Sequence, residues 1–335
     1  MRVVVIPGNG GPEVLTVENR PDPTPGPGEV LIGVAAAGVN FADTMARAGL
    51  YEDAPDLPAI VGYEVAGTVL DHGAGVDPAT LPLGMRVMAG TRFGGYAEKV
   101  CVPVADALPL PDRFSFEQGA AFPVNYGTAW AGLLGYGSLR AGEKVLIHAA
   151  AGGVGIAATQ IAKRTGAEIW GTSSPSKHKA IKAQGVDHAV DYTQKGWEKS
   201  LPKMDLVMDA IGGESLKRSY NLLRPGGRVV AFGASIVLSG DRKRLSAAIP
   251  QALRMIRGFN LMDQMGDSKA VIGLNMLRLW DDRGSLEPWI TPLMEMIDDG
   301  TINPVVSDTV PFDNAPEAHR IIAERRNIGK VVLVP

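Results

Sequence analysis

The strongest constraint on the fold of this chain lies in residues 144–155, whose sequence is KVLIHAAAGGVG. The stretch begins with a short apolar run, which is typical of a buried parallel strand. Small residues then lead directly into an apolar-patterned segment that starts at Ile156. A second candidate strand, at residues 168–172, follows at the distance that a strand–helix–strand unit requires. The stretch therefore predicts an α/β sheet built from such units.

The turn inside this stretch matches a dinucleotide-binding fingerprint, with Ala150 in place of the first glycine. Gly152 would let the backbone approach a pyrophosphate, and Gly155 would let the helix pack close to the strand. The helix N-terminus would supply amide donors to the phosphates. The residues nearest to the phosphates would be Ala151, Gly152, Gly153 and Val154. The alternative is a tight turn in an α/β sheet that binds no ligand.

Strand and helix signals alternate over the whole middle of the chain. Candidate strands lie at residues 145–149, 168–172, 187–191, 205–210 and 228–233, and candidate crossover helices at 157–164, 177–184 and 215–223. A sixth strand at residues 270–274 would extend the edge of the sheet. Alternation of this kind predicts a doubly wound parallel sheet, which we assign to residues 122–283.

The first 121 residues have a different pattern, in which short β-branched runs alternate with glycine and proline. Many short strands with little helix predict a barrel-like β domain. The tail contains candidate helices at 289–299 and 314–326 and a last strand at 330–334. Because the parallel sheet is already complete, we expect residues 284–335 to return to the β domain. The parallel-sheet domain would then be an insertion.

Composition excludes several classes of function. A chain of 335 residues with 45% hydrophobic and 21% charged residues is an ordinary globular protein, long enough for two domains. Its net charge of -3 argues against nucleic acid as the main partner. The sequence contains no secretory signal and no apolar run of membrane-spanning length, so a cytoplasmic location is expected.

Five motifs are spread along nearly the whole chain: AGVNFAD at 37–43, VGYEVAGTV at 61–69, PVNYGTA at 123–129, AAAGGVG at 149–155 and NIGKVVL at 327–333. Together they resemble the quinone oxidoreductase branch of the medium-chain dehydrogenase/reductase superfamily. Within that branch, DLVMD at 205–209 and YNLLRPGG at 220–227 resemble the synaptic vesicle membrane protein (vesicle amine transport protein) group. The resemblance implies a GroES-like β-barrel catalytic domain, a Rossmann domain and a homodimer that pairs through residues 269–276.

The sequence departs from the zinc enzymes of this superfamily. These enzymes have Gly-His-Glu where this chain has Gly62-Tyr63-Glu64, and a four-cysteine lobe that is absent here. One cysteine, Cys101, and five scattered histidines cannot supply a tetrahedral ligand set. A quinone or conjugated enone needs less electrophilic help than an alcohol, since it already delocalises incoming charge. The departure therefore predicts a zinc-independent reductase with no metal site.

The residues after the second parallel strand predict NADPH as the cofactor. An NAD site has Asp or Glu about 20 residues beyond the glycines, to hold the ribose 2′-hydroxyl. This chain has Thr172, Ser173 and Ser174 at that place, followed by Lys177. A carboxylate would repel a 2′-phosphate, whereas hydroxyls and an ammonium group donate to it. Alternatively, Lys177 is a solvated helix lysine.

The family resemblance implies further cofactor contacts. Asn40 and Thr128 would flank the nicotinamide. The other implied contacts are Tyr192 beside the adenine ribose phosphate, Phe232 and Gly233 at the end of the fifth strand, and Asn327 from the tail. Asn40 could instead cap a helix, and Thr128 could be a buried hydroxyl bonded to its own helix.

The proton donor is left open by the sequence. Tyr51 and Tyr63 are candidate acids, Tyr63 because it stands in the position of the missing zinc histidine, and Asn40 is the third candidate catalytic residue. Each tyrosine could instead be an aromatic wall of the site, with water as the proton source. A positioned general acid contributes about 10²- to 10⁴-fold to the rate.

Two functions remain open. The first is an NADPH-dependent reductase acting on a quinone or an α,β-unsaturated carbonyl compound. The second is an NADPH-binding protein with vestigial catalysis that acts through membrane or protein partners. Residues 242–257 carry Arg242, Lys243 and Arg244 before an apolar stripe at helical spacing. This stretch could contact an anionic membrane or a partner, or it could be a surface helix that covers the cleft.

Overall fold

A computed structural model describes residues 1–235 and 259–335 of the chain. The chain divides into two compact units. The first, which we call the β unit, contains Met1–Asn125, Leu277–Thr291 and Asn303–Pro335. The second, the parallel-sheet unit, contains Tyr126–Met276 and Pro292–Ile302. The β unit is therefore assembled from both ends of the chain.

The β unit consists mainly of short strands. Two of them, β1 (Arg2–Val5) and β2 (Thr16–Asn19), form an antiparallel pair. Seven others form one sheet: β3 (Glu29–Val39), β4 (Glu64–His72), β5 (Arg86–Gly90), β6 (Lys99–Pro103), β7 (Ala107–Pro109), β14 (Val306–Pro311) and β15 (Lys330–Val334). Their order is β14-β15-β3-β4-β5-β7, and β6 also pairs with β3.

Strand β3 is the centre of this sheet. Val30, Ile32 and Val34 are buried and alternate with half-buried residues, which is the two-residue period of a strand with one face on a core. The last strand of the chain, β15, runs antiparallel to β3, with Val331 opposite Val39. The tail thus completes the sheet that the N-terminal residues begin.

The parallel-sheet unit contains six parallel strands. They are β8 (Lys144–Ile147), β9 (Glu168–Ser173), β10 (His188–Asp191), β11 (Met204–Asp209), β12 (Leu223–Ala231) and β13 (Ala270–Gly273). Their order is β10-β9-β8-β11-β12-β13, the order of a dinucleotide-binding sheet. Every residue of β11 is buried, as expected for a central strand covered on both faces. The six predicted strands are confirmed, although β12 starts five residues earlier than predicted.

Helices connect and cover these strands. They are α1 (Phe41–Arg47), α2 (Phe116–Gly119), α3 (Pro123–Trp130), α4 (Gly153–Thr165), α5 (His178–Gln184), α6 (Glu214–Leu222), α7 (Leu261–Asp267), α8 (Met276–Arg283), α9 (Glu287–Asp298) and α10 (Ala315–Ala323). Helices α4, α5 and α6 lie at the three predicted crossovers. Helix α3 is followed directly by a π-helical turn, Ala131–Gly135.

The division between the units differs from the predicted parallel-sheet domain at residues 122–283. Residues 277–283 group with the β unit. Buried Asp106 accepts hydrogen bonds from Trp280 Nε1 (3.1 Å) and from the backbone N–H of Leu286 (3.0 Å). A buried carboxylate requires such donors. This contact between distant parts of the chain holds α8 to the β unit.

A second difference concerns residues 292–302, which the sequence assigned to the tail of the β domain. They group with the parallel-sheet unit. Arg164, in the last turn of α4, pairs with Asp299 at 3.1 Å between Nε and Oδ2. Helix α9 therefore contributes residues to both units. The apolar pattern of a single helix does not predict such a division.

Two expectations from the sequence concern membranes and partners. The basic stretch at 242–257 lies outside the described residues. Among residues 1–235 and 259–335, none of the helices has both the length and the apolar composition required to cross a bilayer.

Candidate active site

The turn between β8 and α4 is anchored to the neighbouring strand β9. Ala149 has a left-handed backbone, with φ of 52°, a conformation that a non-glycine residue adopts only when its surroundings enforce it. Its N–H donates to Thr172 Oγ1 (3.2 Å), and the N–H of Ala150 donates to the Thr172 carbonyl (3.0 Å). Gly152 then caps α4 with an extended backbone. The turn is therefore fixed before any ligand binds.

Two glycines of this turn have opposite surroundings. A Cβ at Gly155 would overlap the Ala149 carbonyl oxygen and lie 2.7 Å from Ala150 Cα. Since these are backbone atoms, only glycine fits. A Cβ at Gly152 would meet just the Ala149 oxygen, at 3.4 Å, so that side of the turn is open. The first amides of a helix lack intrahelical partners. An open turn in front of such amides fits the pyrophosphate of a dinucleotide.

The carboxyl ends of the neighbouring strands carry other predicted cofactor residues. Ser173 ends β9, Tyr192 directly follows β10, and Phe232 and Gly233 directly follow β12. Because parallel strands all end at one edge, these residues share the edge that carries the turn after β8. The sheet order reverses between β8 and β11, which is where such sheets bind ligands.

The two serines and the lysine predicted to hold a 2′-phosphate lie in one short segment. Ser173 is buried, Ser174 is half-buried, and the Ser174 and Ser176 hydroxyls are 3.1 Å apart. Lys177 ends a 3₁₀ turn that leads into α5. Thr128 lies apart from this segment, buried in α3.

A buried polar network that was not predicted from the sequence begins at His148, the residue directly before the turn. His148 Nε2 is 3.0 Å from Ser219 Oγ, which donates to Asp209 Oδ2 at 2.7 Å. Asp209 also accepts from the backbone N–H groups of Ile211 and Gly212. Burial lowers the pKa of His148, so its ring is neutral at pH 7. The network connects the residue before the turn to β11 and α6.

Asn40, in the β unit, is held by a buried ion pair. Its Oδ1 accepts a hydrogen bond from Lys330 Nζ (2.6 Å), and its Nδ2 donates to Glu64 Oε1 (3.2 Å). Lys330 also bonds Glu64 directly, and all three side chains are buried. Asn40 also occupies the N-cap position of α1, where its backbone N–H donates to the Asp43 carboxylate. Lys330 and Glu64 thus orient the amide of Asn40. The sequence analysis did not predict that these three residues meet.

The structure brings Tyr51 and Tyr63 together. Their rings meet edge to face at 6.4 Å between centroids, and the Tyr63 ring lies 5.0 Å from that of Phe93. Tyr63 is only 6% exposed, and its hydroxyl has no hydrogen-bond partner among residues 1–235 and 259–335. Burial raises the pKa of both phenols, so both remain protonated at neutral pH. A buried, unpartnered O–H costs about 1–3 kcal/mol, and a ligand acceptor would remove that cost.

Asn327 lies in the turn before β15, where its Nδ2 donates to the Gly329 carbonyl (2.7 Å). This hydrogen bond lies within the turn that leads to Lys330, the first residue of β15. Residues 1–235 and 259–335 contain no group of three or more His, Cys, Asp or Glu side chains that could hold a metal ion.

Comparisons with known proteins agree with this architecture. The family model for the alcohol dehydrogenase GroES-like domain matches residues 26–112, and the model for zinc-binding dehydrogenases matches residues 184–333. The synaptic vesicle membrane protein VAT-1 homolog of Rattus norvegicus is 37% identical over an alignment of 345 positions, which covers 100% of this chain and 84% of the relative.

Solved structures show the same fold. The quinone oxidoreductase of Pseudomonas syringae pv. tomato is 32% identical, with a TM-score of 0.85 over 100% of this chain and 99% of its own. The Thermus thermophilus quinone oxidoreductase, also solved in complex with NADPH, is 33% identical, with a TM-score of 0.81 over 100% of both chains. The chain therefore belongs to the medium-chain dehydrogenase/reductase superfamily, in the quinone oxidoreductase branch that its motifs predicted.

Proposed function

We propose that this protein is a zinc-independent, NADPH-dependent reductase that passes hydride to a quinone or an α,β-unsaturated carbonyl compound. The observation that carries the proposal is the turn after β8, where backbone contacts admit only glycine at 155 while the side at Gly152 is open. When bound, NADPH supplies the hydride, and the protein supplies orientation. The amides at the start of α4 would hold the pyrophosphate.

Ser173, Ser174 and Lys177 would select NADPH over NADH. This segment has no carboxylate to repel a 2′-phosphate. The further cofactor contacts that we propose are Asn40, Thr128, Tyr192, Phe232, Gly233 and Asn327. Asn40 is suited to this role because Lys330 and Glu64 already orient its amide.

Replacing Lys177 with alanine is expected to raise the KM for NADPH about 10- to 150-fold, because one charge-assisted hydrogen bond of about 1.5–3 kcal/mol is lost. The KM for NADH should change little. Lys179→Ala, an exposed lysine two residues further along, is the matched control and should leave both constants unchanged. An unchanged NADPH constant in Lys177→Ala would refute the assignment.

The acceptor would be polarised by a phenol in place of a metal. Tyr63 stands where zinc enzymes of the superfamily have a histidine. Its buried hydroxyl makes no hydrogen bond to the described residues and can donate to a ligand. Because burial raises its pKa, this phenol stays protonated and able to donate to a substrate carbonyl oxygen. Tyr51, in edge contact with it, is the second candidate donor.

Substituting Tyr63 with phenylalanine is expected to lower kcat by about 10²-fold or more, as for loss of a positioned acid. The variant should unfold at the same or a higher temperature than the wild type, since it loses a buried hydroxyl that makes no hydrogen bond to residues 1–235 or 259–335. Tyr51→Phe is the parallel variant. If both variants kept kcat within about tenfold of the wild type, the proton would have to come from water.

The similarity to VAT-1 homologs over the whole chain favours a second candidate function, an NADPH-binding protein that acts through membrane or protein partners. NADPH oxidation followed at 340 nm with a panel of quinones and enones separates the two. Turnover that survives a zinc chelator supports the reductase. Tight NADPH binding without turnover of any acceptor supports the second function.

We also propose a homodimer. Strand β13 is the last strand of the parallel sheet in the part of the chain that the structure describes. An edge strand presents backbone donors and acceptors that a second copy can pair with.

A further inference from the structure

Asp43 is a buried carboxylate in α1 to which the sequence analysis assigned no role. It is 0% exposed. Its Oδ2 accepts hydrogen bonds from the backbone N–H of Asn40 (2.7 Å) and from the Tyr96 hydroxyl (2.9 Å). Its Oδ1 accepts from the backbone N–H of Gly62 (3.1 Å). A buried carboxylate is tolerated where donors of this kind surround it.

These bonds join segments that are far apart in the sequence. Asn40 N–H belongs to the start of α1, and Gly62 N–H belongs to the turn before β4, directly before Tyr63. One carboxylate therefore holds the backbone of the residue proposed to orient the cofactor and the backbone next to the proposed phenol donor. Errors of about 1 Å in such positions cost about 10²-fold in rate.

We propose that Asp43 is a positioning residue of the reductase, which sets the spacing between Asn40 and Tyr63 without touching cofactor or substrate. The inference rests on the proposed function for its catalytic consequence. Its structural part is independent of that function. One carboxylate fixes the backbone at Asn40 relative to the backbone at Gly62.

The surroundings of Asp43 make this arrangement sensitive to acid. Tyr96 faces it directly, and Lys330, Tyr63 and Tyr51 are further ionisable groups that interact with it. His319 Nε2 lies 3.4 Å from the phenol oxygen of Tyr96. Burial lowers the pKa of His319 to about 3, further depressed by Arg47, so the ring is neutral. Burial raises the pKa of Asp43 to about 6.

Protonation of Asp43 would weaken its hold on the two backbone segments, because hydrogen bonds to an ionised acceptor are about twice as strong as those to a neutral one. The added O–H would point to the Tyr96 oxygen, so Tyr96 would change from a donor to an acceptor. Turnover of the wild type should therefore fall as the pH drops through about 6. At pH 5, one unit below that pKa, kcat should be about tenfold lower than at pH 7.

Asp43→Asn tests the inference. The amide keeps the size of the carboxylate but offers N–H groups where an acceptor is needed. We expect kcat at pH 7 to fall about 10- to 100-fold, the KM for NADPH to stay within about threefold, and the decline near pH 6 to disappear. Infrared difference spectra of the cofactor-free protein supply a readout without catalysis. The band of a protonated carboxyl should appear below about pH 6 in the wild type and be missing in the variant.

Tyr96→Phe is the second variant. It keeps both backbone hydrogen bonds to Asp43 but removes a donor that lowers its pKa. Its kcat at pH 7.5 should stay near that of the wild type, while the acid decline and the carboxyl band should move to higher pH. If Asp43→Asn does not fold, an unmoved decline and band in Tyr96→Phe overturn the inference.

Wild-type kcat and acid decline in a folded Asp43→Asn protein would overturn it directly. The proposed function fails separately, if the wild type reduces no acceptor. The infrared band and its shift in Tyr96→Phe then still decide whether Asp43 titrates near pH 6 as the inference requires.

Discussion

Gly155→Ala is expected to abolish measurable NADPH binding, with a loss of affinity of at least about 100-fold. Its new methyl group would overlap the Ala149 carbonyl oxygen and lie 2.7 Å from Ala150 Cα. Helix α4 must move away from the turn to relieve this overlap, and the amides proposed to hold the pyrophosphate move with it. Overpacking of this kind typically costs about 1–3 kcal/mol of stability. Calorimetric titration with NADPH and urea unfolding of the cofactor-free protein measure the two effects.

Gly152→Ala is the matched control for this prediction. Its methyl group would make only an ordinary contact, 3.4 Å from the Ala149 oxygen. The cofactor-free variant should therefore be as stable as the wild type, while NADPH affinity should fall because the methyl group occupies the open side of the turn. Wild-type affinity in both variants would contradict the assignment of this turn to the pyrophosphate.

Lys330→Met is expected to lower the free energy of unfolding by about 3–5 kcal/mol, because it leaves the buried Glu64 carboxylate without its counter-charge. Glu64 would keep two hydrogen bonds, from the Val124 N–H (2.8 Å) and from Asn40 Nδ2 (3.2 Å). Asn40 would lose the ammonium that holds its Oδ1. Urea unfolding at pH 7 measures the loss of stability. We also expect kcat to fall, because the Asn40 amide is no longer held in one orientation by Lys330.

The double variant Lys330→Met/Glu64→Gln is the control for this second prediction. Removing both charges leaves neither position with a buried ion that lacks its counter-charge, so the double variant should be more stable than Lys330→Met alone. The coupling between the two sites follows from the double-mutant cycle. A single variant within about 1 kcal/mol of the wild type would contradict the prediction that Glu64 needs this counter-charge.

The sequence predicted the parallel sheet well, because each of its elements has a local signal. Strand β8, the small residues at 149–155 and helix α4 occur consecutively, so side-chain period and turn chemistry identify them without knowledge of the rest. The candidate site was predicted less completely. Asn40 and Tyr63 were recognised by their motifs, but the groups that hold them were not.

Residues that hold a site in place often have no local signal. Asp43 lies within a quoted motif, and its spacing from Asn40 matches a capping box. That spacing could have indicated the hydrogen bond to the Asn40 N–H. It could not indicate the bond to Gly62, because that contact depends on how α1 packs beside the turn before β4.

The sequence by itself determined the fold class, the family and the position of the proposed phosphate-binding turn, since these depend on contiguous residues and their periodicity. Only the tertiary structure decided that Lys330 meets Glu64, 266 residues away, and Asn40, 290 residues away. It also decided that the Tyr63 hydroxyl is buried and makes no hydrogen bond within the part of the chain that the structure describes. The physical reason is that ion pairing and burial depend on distances in space, and sheet pairing between the two ends of the chain sets those distances.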